Sequence, residues 1–128
     1  MSKKLIVGLD FDGTLVKHAY PDIGEDIGAF PILKKYAKHC KYILFTMRSG
    51  ETLEAAVEYI NRMGIALYGI NKNPSQKCWT SSPKAYCHLY IDDAALGAPL
   101  IRPLDGRPYI NWHTADTMLG QAIRTAHG

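Results

Sequence analysis

The sequence is poor in cysteine, in long apolar stretches and in charge of one sign. Three cysteines, Cys40, Cys78 and Cys87, occur among 128 residues, and no two form a CxxC pair. An odd number at that spacing argues against a disulfide framework or a zinc knuckle and leaves three reduced, partly buried thiols as the expectation. No apolar run approaches the roughly 20 residues that cross a bilayer. The stretch after Met1-Ser2-Lys3-Lys4 extends only from Leu5 to Leu9 before Asp10, too short for a secretory signal with its cleavage site. A cytoplasmic protein with no membrane partner is therefore expected. Fifteen Lys and Arg against twelve Asp and Glu leave a formal charge of +3, and the basic residues are scattered. The footprint of a protein that tracks a phosphate backbone is missing, while an anionic substrate remains compatible. There is no internal repeat, low-complexity tract or linker, so one domain over residues 1–128 is expected, large enough to need no covalent or metal staple.

What is present is an alternation of short apolar runs and helical patterns. Leu5–Leu9, Tyr42–Phe45, Ile65–Ile70 and Cys87–Ile91 are continuous apolar runs of the kind that form strands buried on both faces. Between them, Pro31 suits the first turn of a helix whose Ile32, Leu33, Tyr36 and Ala37 share a face. Ser49 suits the cap of a second helix carrying Leu53, Ala56, Val57 and Ile60, with Gly64 placed to stop it. A third helix is predicted to open at Thr114, with Met118, Leu119 and Ala122 on its apolar stripe. Residues 71–83 and 98–108 are rich in turn-forming residues and read as loops, the latter leading to a short fifth strand over Tyr109–Trp112. Strands alternating with helices predict an α/β fold with a mainly parallel sheet and right-handed crossovers. Ligands of such sheets bind at the carboxyl ends of the strands. Asp10, Thr46 and Asp92 each follow an apolar run, so all three should gather on one rim.

The chemistry-bearing residues lie at those ends. In Asp10-Phe11-Asp12-Gly13-Thr14, Gly13 allows a turn that lets two carboxylates converge, where they repel unless a cation lies between them. Asp92-Asp93 adds a second acidic pair after another strand. Hard oxygen ligands in that number favour Mg2+, against the plainer reading of solvated loop acids. Thr46 offers a hydroxyl, and the loop into the Ser49 helix offers backbone N–H groups for phosphate oxygens. A lysine near the rim would balance the charge of a phosphorylated aspartate, and Lys84 and Lys77 are the candidates. Arg48 is placed to clamp a phosphate or a carboxylate. Lys17, His18 and Tyr20 lie where they could touch a leaving group or simply face water. His88, Tyr109 and Trp112 read as packing residues.

The string Asp10-Phe11-Asp12-Gly13-Thr14-Leu15, the strand ending in Thr46, Lys84, and Tyr90-Ile91-Asp92-Asp93 resemble, in order, the four motifs of the haloacid dehalogenase superfamily. The chain is most similar to its small capless phosphatase-like members from bacteria and phages, among which the Tyr20-Pro21 region and Arg48 also recur. The resemblance implies a Rossmann-like three-layer α/β sandwich. It implies a phosphohydrolase in which Asp10 is the nucleophile that becomes an aspartyl-phosphate, and Asp12 is the general acid and then base. It further implies that Thr46 and Lys84 bind the phosphoryl group. Mg2+ would be held by Asp10, Asp92, Asp93 and the backbone carbonyl of Asp12, with Asp93 alternatively orienting its waters. An acid at position 12 favours phosphatase or phosphomutase chemistry over ion pumping. Residues 14–30 hold a short flap and residues 71–83 a brief loop, neither long enough for a cap domain. The implied substrate is a phosphorylated small molecule. Nucleotides, nucleic-acid ends and transfer to a second acceptor are the alternatives, and an open site leaves room for a homo-oligomer to shield it.

Overall fold

The computed structural model describes residues 4–127, with the side chain of His127 left aside. Four strands form a parallel sheet: β1 (Leu5–Leu9), β2 (Cys40–Leu44), β3 (Leu67–Ile70) and β4 (Leu89–Ile91), in the order β3-β2-β1-β4. β1 lies between β2 and β4, with Leu9 opposite Leu44 on one side and Ile91 on the other. The central strand is the most apolar, as expected of one covered on both faces. Two crossover helices, α1 (Ala29–Lys35) and α2 (Gly50–Arg62), follow β1 and β2, and α3 (Trp112–His127) closes the chain. This is a Rossmann-like α/β sandwich with a mainly parallel sheet, as the apolar runs predicted. No helix among the described residues is long and apolar enough to cross a membrane.

The two faces of the sheet are covered differently. Leu5, Val7, Leu9, Tyr42 and Leu44 belong to one buried cluster with Phe30 and Leu33 of α1, Ala56 and Ile60 of α2, and Ala115, Leu119 and Ile123 of α3. On the opposite face, Gly8 leaves room for the Tyr90 ring and the Cys87 sulfur. Segment 71–88 lies between β3 and β4 and contains one 3-10 turn, Gln76–Cys78. Gln76 organises this segment by bonding Ser82 O, Lys84 O and the Tyr86 amide. Burial raises the thiols of Cys40 and Cys87 to about 11, so both stay protonated and inert at neutral pH. Cys78, expected to be partly buried, is exposed.

Several boundaries differ from the sequence reading for local reasons. Ser49 stands at the start of α2, yet its hydroxyl makes no capping bond; its carbonyl instead accepts from Thr52 Oγ1 at 2.8 Å. Gly64, at φ 89°, ends the helix as expected. α3 begins two residues before Thr114 because Asn111 Oδ1 accepts from the Thr114 amide at 3.2 Å. Its buried face is Trp112, Ala115, Leu119 and Ile123, and Met118 is 52% exposed. The fifth strand does not join the main sheet. Tyr109–Ile110 (β6) pairs antiparallel with Leu100–Ile101 (β5), a separate two-stranded ribbon that also gives structure to the stretch read as a loop.

Candidate active site

The strand order reverses direction between β1 and β4, the place where ligands of such sheets bind beyond the carboxyl ends. Asp10 follows β1, its amide donating to Ile91 O at 3.0 Å and tying the two strand ends together. Asp92 and Asp93 follow β4. Carboxylate oxygens of Asp10, Asp92 and Asp93 all lie within 4.8 Å of one another, a grouping able to hold a metal ion. The shared rim expected from the sequence is thus built by the register of two parallel strands with β1 at the centre.

Four residues outside the acids fix their geometry. Thr14, fully buried, donates from Oγ1 to Asp10 Oδ2 at 2.9 Å and accepts from the Asp93 amide at 3.1 Å. It therefore ties the β1 and β4 loops together. Trp112 Nε1 donates to Thr14 O at 2.7 Å, so a residue read as packing also anchors the loop that carries the first acids. Gly13 adopts φ 82°, and a Cβ there would overlap the His18 ring and the Asp93 carboxylate. His18 Nε2 pairs with Asp93 Oδ2 at 2.8 Å. Thr14 and His18 were within reach of sequence reasoning, as a hydroxyl beside the acids and an imidazole in the adjoining flap. Nothing in the sequence signals the Trp112 contact, which spans 98 residues.

The clustered acids perturb Asp10 strongly. Its carboxyl is pushed from 3.8 up to about 8, by burial first, then by a hydrogen bond to Asp93 and the charge of Asp92, against the opposing Thr14 bond. Burial and the neighbouring acids both favour the neutral form of Asp10.

Asp12 stands apart from this cluster. Both its oxygens face Arg48, which donates from Nε at 2.8 Å and from Nη2 at 2.8 Å in a bidentate fork. Arg48 is 3% exposed. Its remaining donors go to Pro21 O, Asp22 O and Thr52 O. The clamp expected of Arg48 thus closes on a carboxylate of the protein itself, and no guanidinium N–H is left over for a phosphate. Thr46, after β2, accepts the Arg48 amide at Oγ1 and is held through its own amide by Asn71 Oδ1 at 2.8 Å.

The lysines are not drawn into the cluster. Lys84 is exposed, with its ammonium 5.3 Å from the centroid of the Tyr90 ring. Lys77 is exposed on the 3-10 turn. Neither forms an ion pair with Asp10. β4 is only three residues long, and the Tyr90 hydroxyl folds the preceding chain back by bonding Ala85 O at 2.7 Å and the Cys87 amide at 3.1 Å.

The flap over residues 14–30 is an ordered strap. Val16 bridges Asp26, and the Lys17 amide donates to Glu25 O at 2.9 Å. Gly24 lies so close to the Lys17 carbonyl that any Cβ would collide with it. Tyr20, 63% exposed, sits with its ring 5.2 Å from the Arg48 guanidinium, whereas Lys17 reaches Glu25 and the Tyr109 ring.

Neither a family model nor a curated protein matches the chain. A solved structure does: a conserved protein coded by a locus of Bacteroides thetaiotaomicron, 34% identical, with a TM-score of 0.70 over 94% of this chain and 93% of that one. This chain belongs to the same family. The likeness extends over nearly the whole length of both chains.

Proposed function

We propose that this protein is a Mg2+-dependent phosphohydrolase of the haloacid dehalogenase type, cleaving phosphate monoesters through an aspartyl-phosphate on Asp10. The observation that carries the reading is the convergence of Asp10, Asp92 and Asp93 within 4.8 Å at the carboxyl ends of β1 and β4. The high proton affinity of Asp10 reflects its burial first and then the neighbouring acids, whose charge a cation would offset. Three carboxylates at this spacing suit a hard divalent ion with oxygen ligands, and the Asp12 backbone carbonyl is proposed as a further ligand. When bound, Mg2+ would neutralise phosphate charge and let Asp10 ionise at neutral pH.

An oxygen of Asp10 attacks phosphorus as the bond to the leaving alcohol breaks, and Asp12 gives that alcohol its proton. Asp12 then takes a proton from a water that attacks the phosphorus, releasing phosphate and restoring Asp10. Thr46 already accepts the Arg48 amide, which leaves its hydroxyl proton to donate to a phosphoryl oxygen. Lys84, with no ionic partner among the described residues, is the proposed countercharge, with Lys77 as the alternative. A phosphorylated small molecule in the cytoplasm is the proposed substrate.

The test is phosphate release from a panel of sugar and alkyl phosphates, nucleotides and phosphorylated DNA ends. It would be run with Mg2+ or EDTA, and with an acceptor alcohol to detect transfer. Turnover that needs Mg2+ and falls to background in Asp10→Asn is the expected result. Turnover that survives EDTA or the substitution would overturn the mechanism, and a fully inactive panel would overturn the activity.

A further inference from the structure

We propose that Arg48 is a positioning residue that joins the Asp12 carboxylate and the flap into one unit, setting the aim of the acid–base group. The proposal rests on the phosphohydrolase reading for its catalytic consequence, and on geometry alone for the coupling. A guanidinium has five N–H donors, and all five of Arg48 are engaged. Nε and one Nη2 hydrogen hold the two Asp12 oxygens, the other Nη2 hydrogen reaches Asp22 O at 2.6 Å, and Nη1 bonds Pro21 O at 3.2 Å and Thr52 O at 3.1 Å. Three segments therefore meet on one buried cation: the loop after β1, the flap and the first turn of α2. The rings of Phe11 and Tyr20 lie 4.9 and 5.2 Å from the same group. A fork fixes the plane of a carboxylate as well as its distance, which a lysine ammonium cannot do.

With no donor spare, Arg48 acts through Asp12 and not on the phosphate. The catalytic signature follows from what Asp12 is for. Esters of alkyl alcohols depend on proton donation to the leaving oxygen, whereas p-nitrophenolate departs with little help. Removing the side chain outright would leave the Asp12 carboxyl without its partner and loosen α2, so Arg48→Lys is the informative variant, with its fold verified by circular dichroism. Loss of general acid–base aid is worth on the order of 100-fold or more. Arg48→Lys is expected to lower kcat/KM on glycerol phosphate by about that factor. On p-nitrophenyl phosphate kcat/KM should fall only a few-fold, because that ratio reports the step in which the alcohol leaves. The later attack of water on the aspartyl-phosphate is common to both esters and slows kcat on each. Equal losses of kcat/KM on both esters, or a loss through KM alone, would overturn the positioning role. The coupling has its own readout. Hydrogen exchange at the Lys17 and Asp22 amides, bonded to Glu25 O and Ala19 O, should accelerate in Arg48→Lys and also in Asp12→Asn. Unchanged exchange in Asp12→Asn would overturn the coupling. Were wild type to hydrolyse neither ester, the phosphohydrolase reading would fail, and exchange would still decide the coupling.

Discussion

Asp10 links chemistry to stability at the scale of a single residue. Its carboxyl titrates near 8 in the folded chain and near 3.8 when unfolded. Between those values the folded state holds a proton that the unfolded state has released. This contribution to stability is therefore complete below about pH 4 and is lost as pH rises through 8. Without metal, the melting temperature should fall between pH 5 and pH 8.5, and Asp10→Asn should flatten that fall. Mg2+ should raise the melting temperature more at pH 8.5 than at pH 5, since at the lower pH it must displace the proton. Differential scanning fluorimetry across pH checks both, and a wild-type slope unchanged in Asp10→Asn would count against the account. The residue types at this site were legible: acids spaced Asp10-Phe11-Asp12, then Asp92-Asp93, each after a buried strand. Their division of labour was not. Nothing in the spacing says that Asp93 meets His18, or that Asp12 turns to Arg48, because both pairings depend on the path of the flap.

At the scale of elements, periodicity placed the helices well and their edges less well. Leu53, Ala56, Val57 and Ile60 recur at helical spacing and face the core, with Ala56 and Ile60 fully buried. In α3 the stripe is shifted: once Asn111 starts the helix, Ala115, Leu119 and Ile123 fall inward and Met118 turns toward water. One residue step is about 100° around a helix, so a small error in phase exchanges a core residue for a surface one. Leu119→Ala should cost about 2–5 kcal/mol, as a cavity in the main cluster, whereas Met118→Ala should stay within about 0.5 kcal/mol. Urea denaturation of the two variants decides between the phases, and comparable costs would contradict the buried face described. Strand ends were blurred for another reason. β4 is two residues shorter than its apolar run because the His88 imidazole takes the Ile6 amide at 2.8 Å, in place of a backbone carbonyl.

For the whole molecule, a single buried cluster unites β1 and β2 with all three helices, so unfolding should be one cooperative event. The two tryptophans allow a direct check. Trp112 is 3% exposed and Trp79 is 62% exposed, so the fluorescence change on unfolding should come from Trp112 and persist in Trp79→Phe. Its midpoint should coincide with that of far-ultraviolet circular dichroism, and separated midpoints would mean that the ribbon or the flap unfolds on its own.

The amino-acid sequence by itself determined the α/β class, the buried strands and the acids at their ends, because periodicity and turn chemistry act over a few neighbouring residues. It also determined that the flap is too short to fold as a separate domain. Only the tertiary structure decided the strand order β3-β2-β1-β4, which sets Asp10 beside Asp92 and Asp93. It alone decided that Arg48 closes on Asp12, that Lys84 rests over Tyr90, and that Trp112 holds the Thr14 carbonyl. Each of these contacts joins residues far apart in the chain, and which distant groups meet depends on how every intervening element packs.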